Sequence, residues 1–134
     1  MFWCLDVRAA SVAALFSLAL PLAACSSDGA DADQPEMSPS AVAEAEQIFA
    51  ARCTPCHGAS GAGDGPASSG LTPRPRNFHD EDWQTSVSDE HLERIIQYGG
   101  AAVGRSPAMP ANPDLTSKPE VVAALRAHIR DLDD

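Results

Sequence analysis

The sequence predicts a small all-α domain with three main helices joined by long loops. Three segments repeat apolar residues at helical spacing, and no segment shows a convincing strand pattern. Two connections are rich in glycine, proline and small residues and are longer than most loops of compact domains. From residue 39 onward the chain offers only nineteen large apolar or aromatic side chains. A core this thin predicts a further stabilising element, such as a disulfide, a metal or a large apolar cofactor that the loops wrap.

The first helix is predicted from about Ser40 to Cys53. Ser38 is placed to cap its N-terminus, and Pro39 takes the first helical position, where a backbone N–H has no partner in any case. The residues spaced to form its buried face are Val42, Ala45, Phe49 and Cys53.

The second helix is predicted over residues 89–98. Ser88 is the expected N-cap, and two acidic residues in the first turn suit the positive end of the helix dipole. Gly99 and Gly100 supply the C-terminal stop. The expected buried stripe is Leu92, Ile95 and Ile96.

The third helix is predicted over residues 118–132. Ser117 and Glu120 have the spacing of a capping box, and Pro119 is tolerated in the first turn. Its apolar face consists of Val121, Val122, Leu125, Ile129 and Leu132.

The N-terminal region predicts export. Residues 9–24 form an apolar run of sixteen residues, too short for a transmembrane helix of about 20 residues. The run ends in Leu22-Ala23-Ala24-Cys25, which resembles the small-residue box of a bacterial lipoprotein signal peptide. The resemblance implies a signal peptide over residues 1–24, cleavage before Cys25 and lipid on its thiol. The alternative is an ordinary signal peptide cut at a small-residue site.

Residues 25–38 are acidic, small and poor in large apolar side chains, which predicts a flexible linker. Random-coil scaling gives this segment a reach of roughly 20 Å. The folded domain is therefore predicted over residues 39–134.

The charge balance restricts the partners. Nine basic and nineteen acidic residues give a formal net charge of −10. A nucleic-acid-binding protein is expected to carry a basic patch, so this class is disfavoured. The charge favours solubility and a partner with a basic docking surface. We expect a monomer.

One motif carries the predicted chemistry. Cys53-Thr54-Pro55-Cys56-His57 is the C-x-x-C-H pattern of covalent haem attachment. Two thiols at this spacing reach the two vinyl groups of one porphyrin, and the next residue places an imidazole under the iron. Three alternatives stay open: a thioredoxin-like dithiol, a structural zinc site with ligands from elsewhere, and a disulfide between the two cysteines.

A second axial ligand is expected downstream of the motif. After signal removal the methionines are Met37, in the linker, and Met109, between Pro107 and Pro110 in the second long loop. The prolines are expected to hold this segment extended. Met109 is therefore the predicted thioether ligand. If it only packs in the core, the ligand would be sought among His79, His91 and His128.

From about Ser40 to Leu132 the chain resembles a class I c-type cytochrome. The match lies in a helix leading into C-x-x-C-H, a Gly/Pro loop, a middle helix, a methionine loop and a terminal helix. The resemblance implies one covalently attached haem c, His57 and Met109 as axial ligands, and a one-electron carrier rather than an enzyme. It also implies redox partner proteins and a location outside the cytoplasm. With the lipid anchor this is the periplasmic side of a bacterial membrane; the alternative is a soluble periplasmic protein.

The resemblance assigns further roles. Family members pair an aromatic residue of the first helix with one of the last, and here Phe49 would meet His128, which weakens the pair or leaves the histidine at the surface. Pro66 would offer its carbonyl to the second His57 nitrogen. The haem propionates would be approached by Arg74, Arg76 and Trp83.

Two other functions compete with electron transfer. A haem enzyme or gas-binding protein requires an open coordination position on the iron, so Met109 could not be a ligand. No group of acid–base residues accompanies the motif. A non-haem redox or zinc-binding lipoprotein requires that no haem is attached. The absorption spectrum of the protein separates these hypotheses.

Overall fold

Helices are the only regular elements in the described part of the chain, residues 37–133 of the computed structural model, as the sequence predicts. The α-helices are α1 (Pro39–Ile48), α2 (Thr54–His57), α3 (Glu81–Ser86), α4 (Asp89–Tyr98) and α5 (Pro119–Arg130). A π-helical turn at Phe49–Cys53 joins α1 to α2, and short 3₁₀ turns cover Pro66–Ser68, Ala101–Val103, Pro113–Ser117 and Asp131–Asp133.

The start of α1 is the predicted one. The Ser38 side chain accepts a hydrogen bond from the Ala41 backbone N–H at 3.3 Å, and Pro39 follows it. The predicted buried face is wrong at Val42, which is 39% exposed, because the stripe facing α5 begins one residue earlier at Ala41. Small side chains at this contact let the two helix backbones approach closely.

Helix α4 has its predicted bounds and caps. The Ser88 hydroxyl accepts from the His91 backbone N–H at 3.2 Å, and the helix ends at Gly99 with φ +76°. Leu92 and Ile96 are buried, whereas Ile95 is half-buried at the edge of the stripe.

The predicted capping box of α5 is wrong. Lys118 is the N-cap and gives no side-chain capping hydrogen bond, because the 3₁₀ turn Pro113–Ser117 directly precedes the helix. The Ser117 hydroxyl instead donates to the Asp114 carbonyl at 3.3 Å. Glu120 accepts from the Ser38 hydroxyl at 2.8 Å and so ties the beginning of α5 to that of α1.

The core lies where α1 and the adjoining π-helical turn pack against α5, with α4 completing it. The edge of the Phe49 ring meets the His128 ring with centroids 4.3 Å apart and planes at 67°. The aromatic contact between first and last helices is thus kept with a histidine. The buried apolar residues of this core are Ala41, Ala45, Ile48, Phe49, Phe78, Leu92, Ile96, Leu115, Val121, Val122, Ala124, Leu125 and Ile129.

Helix α3 is an element that the sequence reading missed. Asp80 caps it by accepting from the Trp83 backbone N–H at 3.1 Å, and Glu81 and Asp82 occupy its first turn. The buried Gln84 amide donates to the carbonyls of Phe78 and Ile129, at 2.8 and 2.9 Å. This short helix therefore connects the end of the first long loop to α5.

A charged cluster joins α4 to α5. The Asp89 carboxylate accepts from Arg126 and from two nitrogens of Arg130, the latter at 2.7 and 3.0 Å. Arg126 is buried and also pairs with Glu93 at 3.3 Å. Burial would raise the pKa of Asp89, but the hydrogen bond from Arg130 and the charge of Arg126 outweigh it and lower that pKa below its usual value.

Replacing Asp89 should make the free energy of unfolding less dependent on pH in the acid range. Because the folded pKa of Asp89 is depressed, its contribution is present above the ordinary value of 3.8 and is lost as the pH falls through the folded value. The side chain is 42% exposed, so screening by water limits the expected loss in Asp89→Asn at neutral pH to about 1 kcal/mol. Urea unfolding from pH 7 to pH 3 should show this difference closing. Glu90→Gln, in the same helical turn, is the control, and a constant difference at all pH values would contradict the prediction.

The predicted signal peptide, Cys4, Cys25 and most of the predicted linker lie outside the described residues. Helix α1 begins at Pro39, and the domain bounds stay a prediction. Nothing among residues 37–133 forms a helix with the length and apolar character needed to cross a membrane.

Candidate functional site

The C-x-x-C-H motif spans the junction between the π-helical turn and α2. Cys53 is the last residue of that turn, and Cys56 and His57 end α2. Residues three apart on a helix lie on one face, so both thiols project to the same side. The two cysteines are half-buried free thiols, not partners in a disulfide. The arrangement therefore presents two thiols and an imidazole within one helical turn.

Burial keeps Cys53 in its thiol form. It raises the pKa of Cys53 to about 11, and the nearby Arg52 charge lowers it by less. A dithiol redox catalyst needs a thiolate, and its reactive cysteine has a lowered pKa. Cys53 has the opposite property, which disfavours the thioredoxin-like alternative.

The His57 ring is held through its Nδ1 atom, 3.1 Å from the carbonyl oxygen of Arg76. Since a carbonyl only accepts, Nδ1 carries the proton and Nε2 keeps its lone pair. Burial lowers the pKa of His57, while this hydrogen bond raises it by less, so the ring is neutral near pH 7. The expectation that the Pro66 carbonyl plays this role is wrong, because Pro66 begins a 3₁₀ turn and the Arg76 carbonyl lies beside Nδ1 instead.

Aromatic stacking fixes the plane of the His57 ring. The Phe78 ring lies parallel to it, with centroids 4.6 Å apart and planes at 12°. Trp83 also stacks on Phe78, with ring centroids 5.6 Å apart, and the Arg76 guanidinium lies 5.5 Å from the Trp83 ring centroid. Phe78 was not among the predicted site residues; its place two residues after the Pro-Arg-Pro-Arg segment gives no periodic signal.

The side chains predicted to meet haem propionates have other partners in this structure. Arg76 pairs with Asp80 at 3.3 Å and covers Trp83, and Arg74 is exposed. Their approach to propionates stays a prediction.

The glycine-rich loop closes over the end of α2. The backbone N–H groups of Gly63 and Gly65 donate to the carbonyls of His57 and Cys56, at 2.7 and 3.1 Å. These carbonyls end a helix and have no intrahelical partner. A Cβ atom at Gly65 would overlap the carbonyls of Thr54 and Pro55, so glycine is required for this close approach. The loop thus caps the end of the motif through main-chain hydrogen bonds.

Met109 lies in a turn against the end of α4. Its N–H donates to the Ser106 carbonyl at 3.2 Å, and its carbonyl accepts from the Gly100 N–H at 3.0 Å. The expected extended backbone is therefore wrong: Pro107 begins a tight turn, a position that its fixed φ favours. The Met109 side chain is half-buried, whereas Met37 is 41% exposed and lies upstream of α1.

The remaining candidate ligands are dispersed. His79 is exposed, His91 lies in the first turn of α4, and His128 packs on Phe49. Among residues 37–133 no three side chains of the His, Cys, Asp or Glu type are gathered to hold a metal ion.

An all-α fold whose first helical segment ends in a C-x-x-C-H motif is typical of the class of proteins that bind haem covalently. The sequence profile of the cytochrome c family matches residues 42–133. The chain belongs to the cytochrome c family. Membership implies a covalently bound haem c and an electron-transfer protein rather than an enzyme, and cytochrome c domains are typically extracytoplasmic.

Among solved structures, the chain is similar to the KustC0563 c-type cytochrome. The TM-score is 0.51 and the sequence identity 26%, over 67% of this chain and 98% of that chain. No curated protein sequence matches this chain significantly.

Proposed function

We propose that the chain is a monohaem class I c-type cytochrome that carries single electrons outside the cytoplasm. Cys53 and Cys56 would hold the haem through thioether bonds, and His57 and Met109 would be the axial ligands of its iron. The observation that carries the proposal is the pairing of two half-buried thiols with a neutral imidazole whose Nδ1 atom is already hydrogen-bonded to Arg76.

The residues present fit a covalent haem. The donor set is two free thiols on one helical face and an imidazole with a free Nε2 lone pair. Glycines occupy the neighbouring loop where a side chain would overlap α2. When bound, haem supplies an iron that alternates between ferrous and ferric states.

The protein's own contribution is to keep the ligand geometry constant while the iron charge changes. The Arg76 carbonyl and the Phe78 ring fix the rotation and tilt of His57, and a carbonyl acceptor on Nδ1 increases the basicity of the ligand nitrogen. The Met109 thioether, as the second ligand, would favour the ferrous state. With His57 and Met109 both holding the iron, small molecules would have no direct access to it.

An optical titration tests the proposed function. We expect the purified protein to show a six-coordinate low-spin haem c spectrum in both redox states, with one haem per chain. Addition of carbon monoxide to the ferrous protein should leave that spectrum unchanged. Rapid binding of carbon monoxide by the untreated protein would instead identify an open iron and favour a gas-binding or enzymatic role.

We further propose that lipid on Cys25 holds the domain at the periplasmic face of a bacterial membrane. The support is the Leu22-Ala23-Ala24-Cys25 box and the acidic segment that follows it. A tether with a reach of roughly 20 Å would keep the domain near the membrane while leaving it free to rotate.

Replacing Cys25 should release the protein from membranes. Without its thiol, Cys25→Ser has no site for the lipid, and the haem-loaded protein should move from the membrane fraction to the soluble periplasmic fraction. Ser26→Ala, at the next position, serves as the control and should stay with membranes. A Cys25→Ser protein that still sediments with membranes would show that the anchor lies elsewhere.

For the partner, we propose a redox protein with a basic docking surface and binding by a monomer of this chain. The support is the net charge of −10 and the exposed acids of α3 and α4, such as Glu81, Asp82 and Glu90. Opposite charge would accelerate encounter, and the association rate should fall with increasing salt.

A further inference from the structure

A hydrogen-bonded connection joins the segment that carries the cysteines to the segment that carries Met109. Arg52, directly before Cys53, donates from Nη1 to the Asn112 side-chain oxygen at 3.2 Å. The same nitrogen lies 3.0 Å from both carboxylate oxygens of Asp114. Asn112 follows Met109 by three residues. Two segments sixty residues apart are thereby held together.

Asn112 also binds the end of α4. Its side-chain nitrogen donates to the Ile96 carbonyl at 2.8 Å, and its backbone N–H donates to the Gln97 carbonyl at 2.9 Å. Both carbonyls lie in the last turn of α4, where no later residue of the helix reaches them. One asparagine therefore uses its oxygen toward the cysteine-bearing segment and its two N–H donors toward α4.

The backbone around Met109 packs tightly against the end of α4. A Cβ atom at Gly99 would lie 2.8 Å from both the Met109 carbonyl oxygen and the Ala111 nitrogen. Gly100 donates to the same Met109 carbonyl at 3.0 Å. The segment from Met109 to Asn112 is thus pressed against α4 by hydrogen bonds at both of its ends.

We propose that Asn112 is the positioning residue of Met109, with Arg52 coupling this position to the haem-attachment helix. The proposal rests on the proposed function, in which Met109 is the iron ligand. Fixing the backbone three residues beyond Met109 would restrict the positions open to its thioether. A thioether held in this way would stay available to the iron and compete with external ligands such as carbon monoxide.

The contacts of Asn112 and Arg52 indicate which of the two should affect the ligand more. The Asn112–Ile96 bond is partly buried, so its loss leaves a carbonyl without its partner. The Arg52–Asp114 pair is 43% and 47% exposed, and pairs of this kind contribute little to stability. The guanidinium hydrogen bond does lower the pKa of Asp114, so the pair stays charged at neutral pH. Asn112 should therefore have the larger effect on the ligand and Arg52 the smaller one.

The test compares carbon monoxide binding to the ferrous holoprotein in a series of variants. Asn112→Ala should bind carbon monoxide about tenfold faster than wild type, lower the reduction potential and weaken the ferric thioether absorption band, with haem still covalently attached. Arg52→Gln should shift these properties in the same direction by a smaller factor, and Arg52→Lys should restore part of the loss. Thr116→Ala is the control for Asn112. It removes a 2.7 Å hydrogen bond from the Thr116 hydroxyl to a carbonyl within the 3₁₀ turn that follows Asn112. Arg94→Gln is the control for Arg52.

Met109→Ala gives the largest effect on carbon monoxide binding expected in this series. It also separates the assignment of Met109 as ligand from the positioning role of Asn112. If Met109→Ala opens the iron and Asn112→Ala does not, Met109 is the ligand and the positioning role is overturned. If Met109→Ala changes nothing, the ligand assignment fails and the positioning role fails with it. A lower melting temperature in Asn112→Ala with unchanged potential and carbon monoxide binding would show a purely structural role. If Asn112→Ala does not accumulate, Asn112→Ser answers the same question with a smaller change.

Discussion

A protein carrying both Cys53→Ala and Cys56→Ala should show no haem staining on a denaturing gel. The staining of the wild type should survive denaturation, because thioether bonds are covalent, and both bonds depend on these two thiols. Each single variant keeps one thiol and should retain a weaker signal. Cys25→Ser is the matched control, since it removes a cysteine outside the motif and should stain like the wild type. Full staining of the double variant would refute covalent attachment at the motif.

The same double variant should lose most of its stable structure. Among residues 37–133, thirteen form the buried apolar core and three of these are alanines, so this part of the chain buries little apolar area without haem. Ordering the long loops costs backbone entropy that such a core offsets only in part. Circular dichroism of the haem-free protein should therefore show weak helix and no cooperative melt. A native-like melt would mean that the core is sufficient without haem.

The helices were predictable because their signals are local. Ser38 and Ser88 cap α1 and α4 as their sequence context predicts, and Gly99 ends α4. The capping box of α5 was not realised, because the preceding 3₁₀ turn left Lys118 at the cap and freed Glu120 to bind Ser38. Competition between adjacent elements for one residue cannot be read from spacing alone.

The site was predictable only where the covalent motif is contiguous. Cys53, Cys56 and His57 are recognised by their order in the chain, whereas the Arg76 carbonyl that holds His57 depends on how a nineteen-residue loop returns. Any residue of that loop supplies a carbonyl, so side-chain chemistry gives no signal. The contact between Arg52 and Asn112 likewise joins positions whose proximity is decided by tertiary packing.

Exchange of Met109 should change the properties of the iron while leaving the haem attached. In Met109→Ala the sixth position loses its protein ligand, so the ferrous protein should bind carbon monoxide and the ferric protein cyanide. In Met109→His the thioether is replaced by an imidazole, which favours the ferrous state less. A hundredfold loss of ferrous preference corresponds to a fall in reduction potential of about 120 mV.

The structure also makes Met109 a position where substitution is informative. Its backbone is held by Gly100 and Ser106 through main-chain groups, so changing the side chain leaves the turn in place. Met37→Ala is the control, because that methionine is exposed upstream of α1 and should not affect the iron. Potentiometric titration and ligand-binding spectra measure the effect in all three variants. If Met109→Ala keeps the wild-type spectrum and potential, Met109 is a packing residue, and the same substitutions at His79, His91 and His128 would then locate the sixth ligand.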